Sequence, residues 1–156
     1  MPANFLLDPK AILLAADGSI ATKSDILGLL SACFAEVYEL DPATVLEGLE
    51  EREKLGSTGF GRGIAMPHAR HAGLKRPVAA LVRLPEPIDF AAADAMKVEL
   101  VFALLSPTDA GATHLHALAA MSRMLRDDAL LERLLAAETS DTLRGVMTDA
   151  GERDAA

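Results

Sequence analysis

The chain has 156 residues, 51% hydrophobic and 24% charged, enough for one domain with a single buried core and with no tract of disordered composition before Gly151. A formal charge of −8, one Tyr, five Phe and no Trp exclude the basic face and stacking platform of a nucleic-acid binder. The single cysteine, Cys33, excludes a disulfide framework.

At the amino terminus Asp8 precedes Lys10 and the apolar run Ala11–Ala16 is short, unlike a secretory signal. No later run approaches the ~20 apolar residues of a bilayer-crossing helix. A cytoplasmic protein with no membrane insertion is expected. Over Lys23–Val37, Ile26, Leu29, Leu30, Cys33, Phe34 and Val37 recur at helical spacing, with Thr22 or Ser24 as N-cap. Cys33 lies on that apolar stripe without a basic neighbour and reads as a buried structural thiol. Asp41-Pro42 places an N-cap before a first-turn proline, and Val45, Leu46 and Leu49 carry a second helix toward Arg52-Glu53.

Three short apolar runs, Ile64–Met66, Val78–Leu84 and Val98–Leu105, predict strands, the last two central. Pro85-Glu-Pro87 reads as a break in regular structure, and Ile88–Ala93 as a short edge strand or a turn. A helical pattern resumes at Thr113. Asp127 or Asp128 caps a further helix to Ala136, and Ser140 or Asp141 caps one more through Met147. Strands interleaved with helices predict an α/β domain in which helices cover a mixed sheet. The domain is read as residues 1–150, with 151–156 as a flexible tail and no internal repeat.

The segment Gly56–Arg70 concentrates four glycines, two hydroxyls, two arginines and Pro67-His68. Glycines at that density permit backbone conformations other residues resist and let main-chain N–H groups approach an anion. The segment lacks the GxxxxGK[ST] ending of a P-loop and opens no helix with GxGxxG, so a nucleotide is not expected. His68, held after a proline at the end of a short strand, is the reactive candidate. An imidazole of ordinary pKa ~6.5 keeps a lone pair at neutral pH and can attack a phosphoryl group without a separate strong base. Arg52, Arg62, Arg70, Ser57, Thr58 and the loop amides are the local positive charge and hydrogen-bond donors such a transfer needs.

His114 and His116 open the helix after Val98–Leu105, and helical phase separates them by ~200°. His114 shares a face with Leu118, Met121 and Leu125, so it alone looks inward. Four histidines also invite zinc, through His68-x-x-His71 and His114-x-His116, but the opposed faces of the second pair spoil it.

Arg52-Glu53-x-x-Gly56-Ser-Thr-Gly59-x-Gly61-x-Gly63-Ile-Ala-x-Pro67-His68 resembles the active-site segment of the fructose/mannitol-type enzyme IIA domains of the bacterial phosphoenolpyruvate-dependent phosphotransferase system, and most of all the nitrogen-regulatory members. The resemblance runs to about Thr148 and includes Thr113-His114-Leu115-His116. It implies a mixed sheet of about five strands flanked by helices on both faces. It implies His68 as phosphoryl acceptor, His114 as the second active-site histidine, Arg52 as the active-site arginine, and Ser57, Thr58, Gly59 and Arg70 as the phosphate-binding surroundings. His71 and His116 match no family position. Many relatives carry glycine where Ala69 follows Pro-His.

The expected function is therefore a phosphocarrier and phosphotransferase without metal or other cofactor. Its donor would be an HPr-like protein, and its output a regulatory target or an enzyme IIB. A binding regulator of transporters or kinases, a sugar-specific enzyme IIA and a metal hydrolase are the alternatives.

Overall fold

The computed structural model describes residues 4–155, with side-chain environments for residues 4–150. In chain order the elements are β1 (Ile12–Leu14), α1 (Lys23–Tyr38), α2 (Pro42–Lys54), β2 (Gly59–Gly61), β3 (Ile64–Ala65), β4 (His68–His71), β5 (Val78–Ile88), β6 (Val98–Pro107), α3 (Ala112–Leu125), α4 (Asp128–Ala136) and α5 (Ser140–Ala155). One six-stranded sheet runs β1-β5-β6-β3-β2, with β4 also on β6. The β5–β6 and β2–β3 pairs are antiparallel, and β1–β5, β3–β6 and β4–β6 are parallel.

Strands β3 and β4 follow a single line along β6, since Ile64 lies opposite Leu100 and His68 opposite Leu104. Met66-Pro67 interrupts that line, although the Pro67 carbonyl still accepts from Leu104 N at 2.9 Å. The sheet is thus mixed and five strand positions wide, as expected. Val78–Val82 and Leu100–Leu105 are buried without alternation. Successive strand residues point to opposite faces, so both faces of β5 and β6 are covered. Helices α1 and α2 pack together, as do α3 with α4 and α4 with α5.

Local signals account for most helix starts. Thr22 and Asp25 form a reciprocal capping box on α1, Asp41 accepts from Thr44 N on α2, and Asp127 accepts from Leu130 N on α4. At α5 the capping bond belongs to Thr139, whose hydroxyl accepts from Thr142 N at 3.0 Å. Ser140 instead accepts from Leu14 N of β1 at 3.0 Å. The helix continues to Ala155, through residues expected as a tail, because no proline follows Ser140 to stop it.

Two strand expectations need correction. Strand β5 does not end before Pro85 but continues to Ile88, which pairs with Val98. Its register shifts between Arg83 and Ile88, so both prolines occupy an irregular stretch where no ladder N–H is required of them. His68 begins strand β4 rather than ending the strand before it.

Backbone crowding explains one glycine of the Gly56–Gly63 segment. A Cβ on Gly59 would lie 2.6 Å from Ala92 Cβ and 2.8 Å from Ala92 Cα. The expected outcome of Gly59→Ala is a loss of about 2 kcal/mol in unfolding free energy, read from urea melts. An unchanged urea midpoint would show that the 89–97 loop yields freely.

Candidate active site

Three elements converge on one cavity of about 390 Å³: the last turn of α2 brings Arg52, β4 brings His68 and Arg70, and α3 brings His114. His68 and Arg70 are two apart on a strand and therefore share a face. His68 Nδ1 lies 2.8 Å from the Met66 carbonyl. A carbonyl only accepts, so Nδ1 carries the proton and Nε2 keeps the lone pair of the neutral ring. Arg52 Nε donates toward that Nε2 at 3.3 Å, and its Nη1 is anchored on the Gly56 carbonyl at 2.9 Å.

His114 is buried, with Nδ1 2.6 Å from Ser106 Oγ and its ring centroid 5.8 Å from that of His68. Arg70 Nη1 reaches the Pro107 carbonyl at 3.4 Å. Burial lowers the pKa of His68, and Arg52 adds to the effect against the opposing pull of the Met66 carbonyl. Burial, with Arg70 and His68 nearby, pushes His114 down to about 4. Both rings are thus neutral at physiological pH, one presenting a lone pair beside a fixed guanidinium. Chemically, this suits attack on a centre whose negative charge lies on peripheral oxygens.

The sequence model of the family described as "Phosphoenolpyruvate-dependent sugar phosphotransferase system, EIIA 2" matches residues 5–149. The chain belongs to this EIIA family. A nitrogen regulatory protein of Bradyrhizobium diazoefficiens is 40% identical over 147 residues, which cover 94% of this chain and 95% of that protein. A "PTS system fructose-specific EIIA component" of Haloferax volcanii is 35% identical over 133 residues, 85% of this chain and 86% of the relative. The crystal structure of the nitrogen regulatory protein IIA-Ntr from Neisseria meningitidis matches with a TM-score of 0.79 at 33% identity, over 90% of this chain and 94% of that one. Membership of a phosphotransferase-system component family, and the fold expected from the resemblance, follow from these matches.

Not every expected site residue of this EIIA chain reaches the cavity. Arg52, His68, Arg70 and His114 line it, whereas Ser57, Thr58 and Gly59 do not. The Ser57 hydroxyl donates to the Phe90 carbonyl at 2.8 Å and accepts from Gly59 N at 3.0 Å. Thr58 is buried and gives both its hydroxyl and its N–H to Glu53. Glu53 is held in turn by Lys23 at 2.6 Å. These loop groups are consumed in fastening the glycine segment to α1, α2 and the 89–97 loop. Neighbours Arg52 and Glu53 divide the work, one facing His68 and the other anchoring the loop.

Arg62 has left-handed backbone, with φ 61°, and its guanidinium pairs with Asp128 on α4. His116 is exposed while His114 is buried, as helical phase predicts. His71 lies three strand positions from His68 and so points to the opposite face, where Nδ1 accepts from Gly73 N at 3.0 Å. That separates the His68-x-x-His71 pair, and among the described residues no group of three or more His, Cys, Asp or Glu is placed to hold a metal ion. Among them, too, no helix is long and apolar enough to cross a membrane.

Sequence reasoning passed over Ser106, Gly48 and Leu55. The first had a signal, being the one hydroxyl in the apolar run Val98–Pro107. Leu55, 84% exposed beside the cavity, had none.

The depressed histidine pKa values make stability depend on pH with a definite sign. With His114 folded near 4 and an unfolded histidine near ~6.5, the unfolded chain binds the proton first as pH falls. Its contribution is flat above ~6.5, and stability declines between that pH and about 4. A His114→Gln variant should lose less stability across this window, by on the order of 2–3 kcal/mol at its acid end. Urea unfolding of both proteins at stepped pH values measures it, and parallel curves would contradict the assignment.

Proposed function

We propose that this EIIA chain is a cytoplasmic phosphocarrier: His68 Nε2 accepts a phosphoryl group from the phosphohistidine of an HPr-type protein. Supporting this reading above all is the hydrogen bond from His68 Nδ1 to the Met66 carbonyl, which leaves the lone pair on Nε2, where Arg52 Nε donates toward it at 3.3 Å. In the transfer, the donor's P–N bond breaks and a P–Nε2 bond forms. The electron pair of the broken bond returns to the donor imidazole, and the proton of His68 stays on Nδ1, donated to the Met66 carbonyl. Arg52 and Arg70 balance charge on the moving phosphoryl oxygens, and His114 holds the group once transferred.

The nitrogen regulatory relatives favour a regulatory output. Phosphorylation adds roughly −1.5 to −2 charges, which changes the surfaces an already acidic protein can approach. Incubation with phosphoenolpyruvate, enzyme I and HPr, followed by intact mass before and after acid, tests the reading. One acid-labile phosphoryl mass is expected; none under conditions that charge HPr would reject it. A second reading, transfer onward to a sugar-specific enzyme IIB, is favoured by the fructose-specific relative from Haloferax volcanii. Adding a fructose-type IIB to the phosphorylated protein separates the two, since a regulatory carrier would keep its phosphoryl group.

A further inference from the structure

Ser106 is fully buried near the end of β6, facing Arg70 of β4 in register. Its hydroxyl oxygen lies 2.6 Å from His114 Nδ1, and among the described residues that nitrogen is its one hydrogen-bond partner. A hydroxyl can donate or accept, and so can one nitrogen of a neutral imidazole, so the pair has two possible senses. Were the proton on His114 Nδ1, it would donate to Oγ and strand the hydroxyl proton without an acceptor in a site closed to water. With the hydroxyl donating, both atoms are satisfied and the imidazole proton is on Nε2.

His114 Nε2 opens on the cavity. Among the described residues the sealed side-chain nitrogens without partners are His71 Nε2 and Arg83 Nε, and His114 Nε2 is neither, while His114 lines the cavity. We propose that Ser106 is a positioning residue that holds the His114 proton on Nε2, so that a neutral ring offers a fixed N–H donor to the phosphoryl group on His68.

One backbone oxygen and one side-chain oxygen thereby set opposite tautomers on two adjacent rings. The Met66 carbonyl, which only accepts, leaves His68 Nε2 as an electron-pair donor; the Ser106 hydroxyl, which gives its proton, makes His114 Nε2 a proton donor. One nitrogen is suited to bond phosphorus and the other to an equatorial oxygen, without requiring an imidazolium. The inference rests on the reading of His68 as phosphoryl acceptor.

Long-range ¹H–¹⁵N spectra of the imidazoles at neutral pH test it in the wild-type chain. His68 should show the Nδ1–H form, and His114 the Nε2–H form with Nδ1 shifted as a hydrogen-bonded acceptor. In Ser106→Ala the Nδ1 signal should move to that of an unbonded nitrogen and acceptance from phospho-HPr should slow about fivefold, with Ser106→Thr restoring both. A His114 Nδ1–H form in the wild type overturns the proposal. So does Ser106→Ala with unchanged Nδ1 signal and transfer rate. If Ser106→Ala does not fold, the wild-type tautomer still decides. Failure of the wild type to accept any phosphoryl group would instead reject the phosphocarrier reading, leaving the tautomer measurement to judge Ser106 alone.

Discussion

Substitution of His68 by alanine should abolish acid-labile phosphorylation, a loss of at least about a thousandfold in transfer rate, while the protein stays folded. The other histidines offer no substitute nucleophile, each for its own structural reason. On His71, Nδ1 accepts from Gly73 and Nε2 is sealed from the surface. His114 has Nδ1 occupied by Ser106 and, on the argument above, a proton on Nε2. His116 is exposed on the far face of α3 and lies outside the cavity that holds Arg52 and Arg70. His68 itself is only partly buried, and its loss leaves one carbonyl, Met66, without a donor. The stability cost should therefore stay near 1 kcal/mol, measurable by urea melts. Intact mass of the variant after incubation with phosphoenolpyruvate, enzyme I and HPr is the decisive measurement. A persistent acid-labile mass would place the acceptor elsewhere.

Arg52→Ala should slow phosphoryl acceptance about a hundredfold. Arg52 is pinned at two points, Nε on His68 and Nη1 on the Gly56 carbonyl, so its remaining N–H donors are held at the cavity before any phosphoryl group arrives. A lysine has the charge but not the fork, and Arg52→Lys should recover only part of the rate. The same substitution has a spectroscopic consequence. Arg52 is one of the influences lowering the His68 pKa, so Arg52→Ala should raise that pKa while burial continues to hold it below the ordinary value. An NMR titration of His68 in both proteins checks the direction, and rapid-quench transfer from phospho-HPr checks the rate. Equal rates in wild type and Arg52→Ala would remove the guanidinium from the chemistry.

Much of this architecture is readable residue by residue. Thr22, Asp41 and Asp127 announce helices because a cap is a bond between a side chain and the amide two or three residues on, complete within one turn. Strands β5 and β6 are visible as apolar runs because both their faces are covered. The inward turn of His114 follows from helical phase alone. By contrast β1, β2 and β4 carry no strand pattern. His68-Ala-Arg-His71 is extended because the edge of β6 accepts it, and a three-residue strand such as Ile12–Leu14 is too short for alternation to register.

The family, the helices, the central strand pair and the glycine segment leading to Pro67-His68 are all legible in the chain, because caps, hydrophobic runs and motif spacing are written in neighbouring residues. The partner of each polar group in that segment is set by folding. Ser57 and Thr58 look like phosphate ligands beside the glycines, yet their hydroxyls are taken by Phe90 and Glu53, while Ser106, far from the motif, holds the second histidine. A hydroxyl bonds whichever partner the folded chain brings within about 3 Å; for Thr58 and Ser106 that partner stands on a neighbouring helix, and for Ser57 it is 33 residues away.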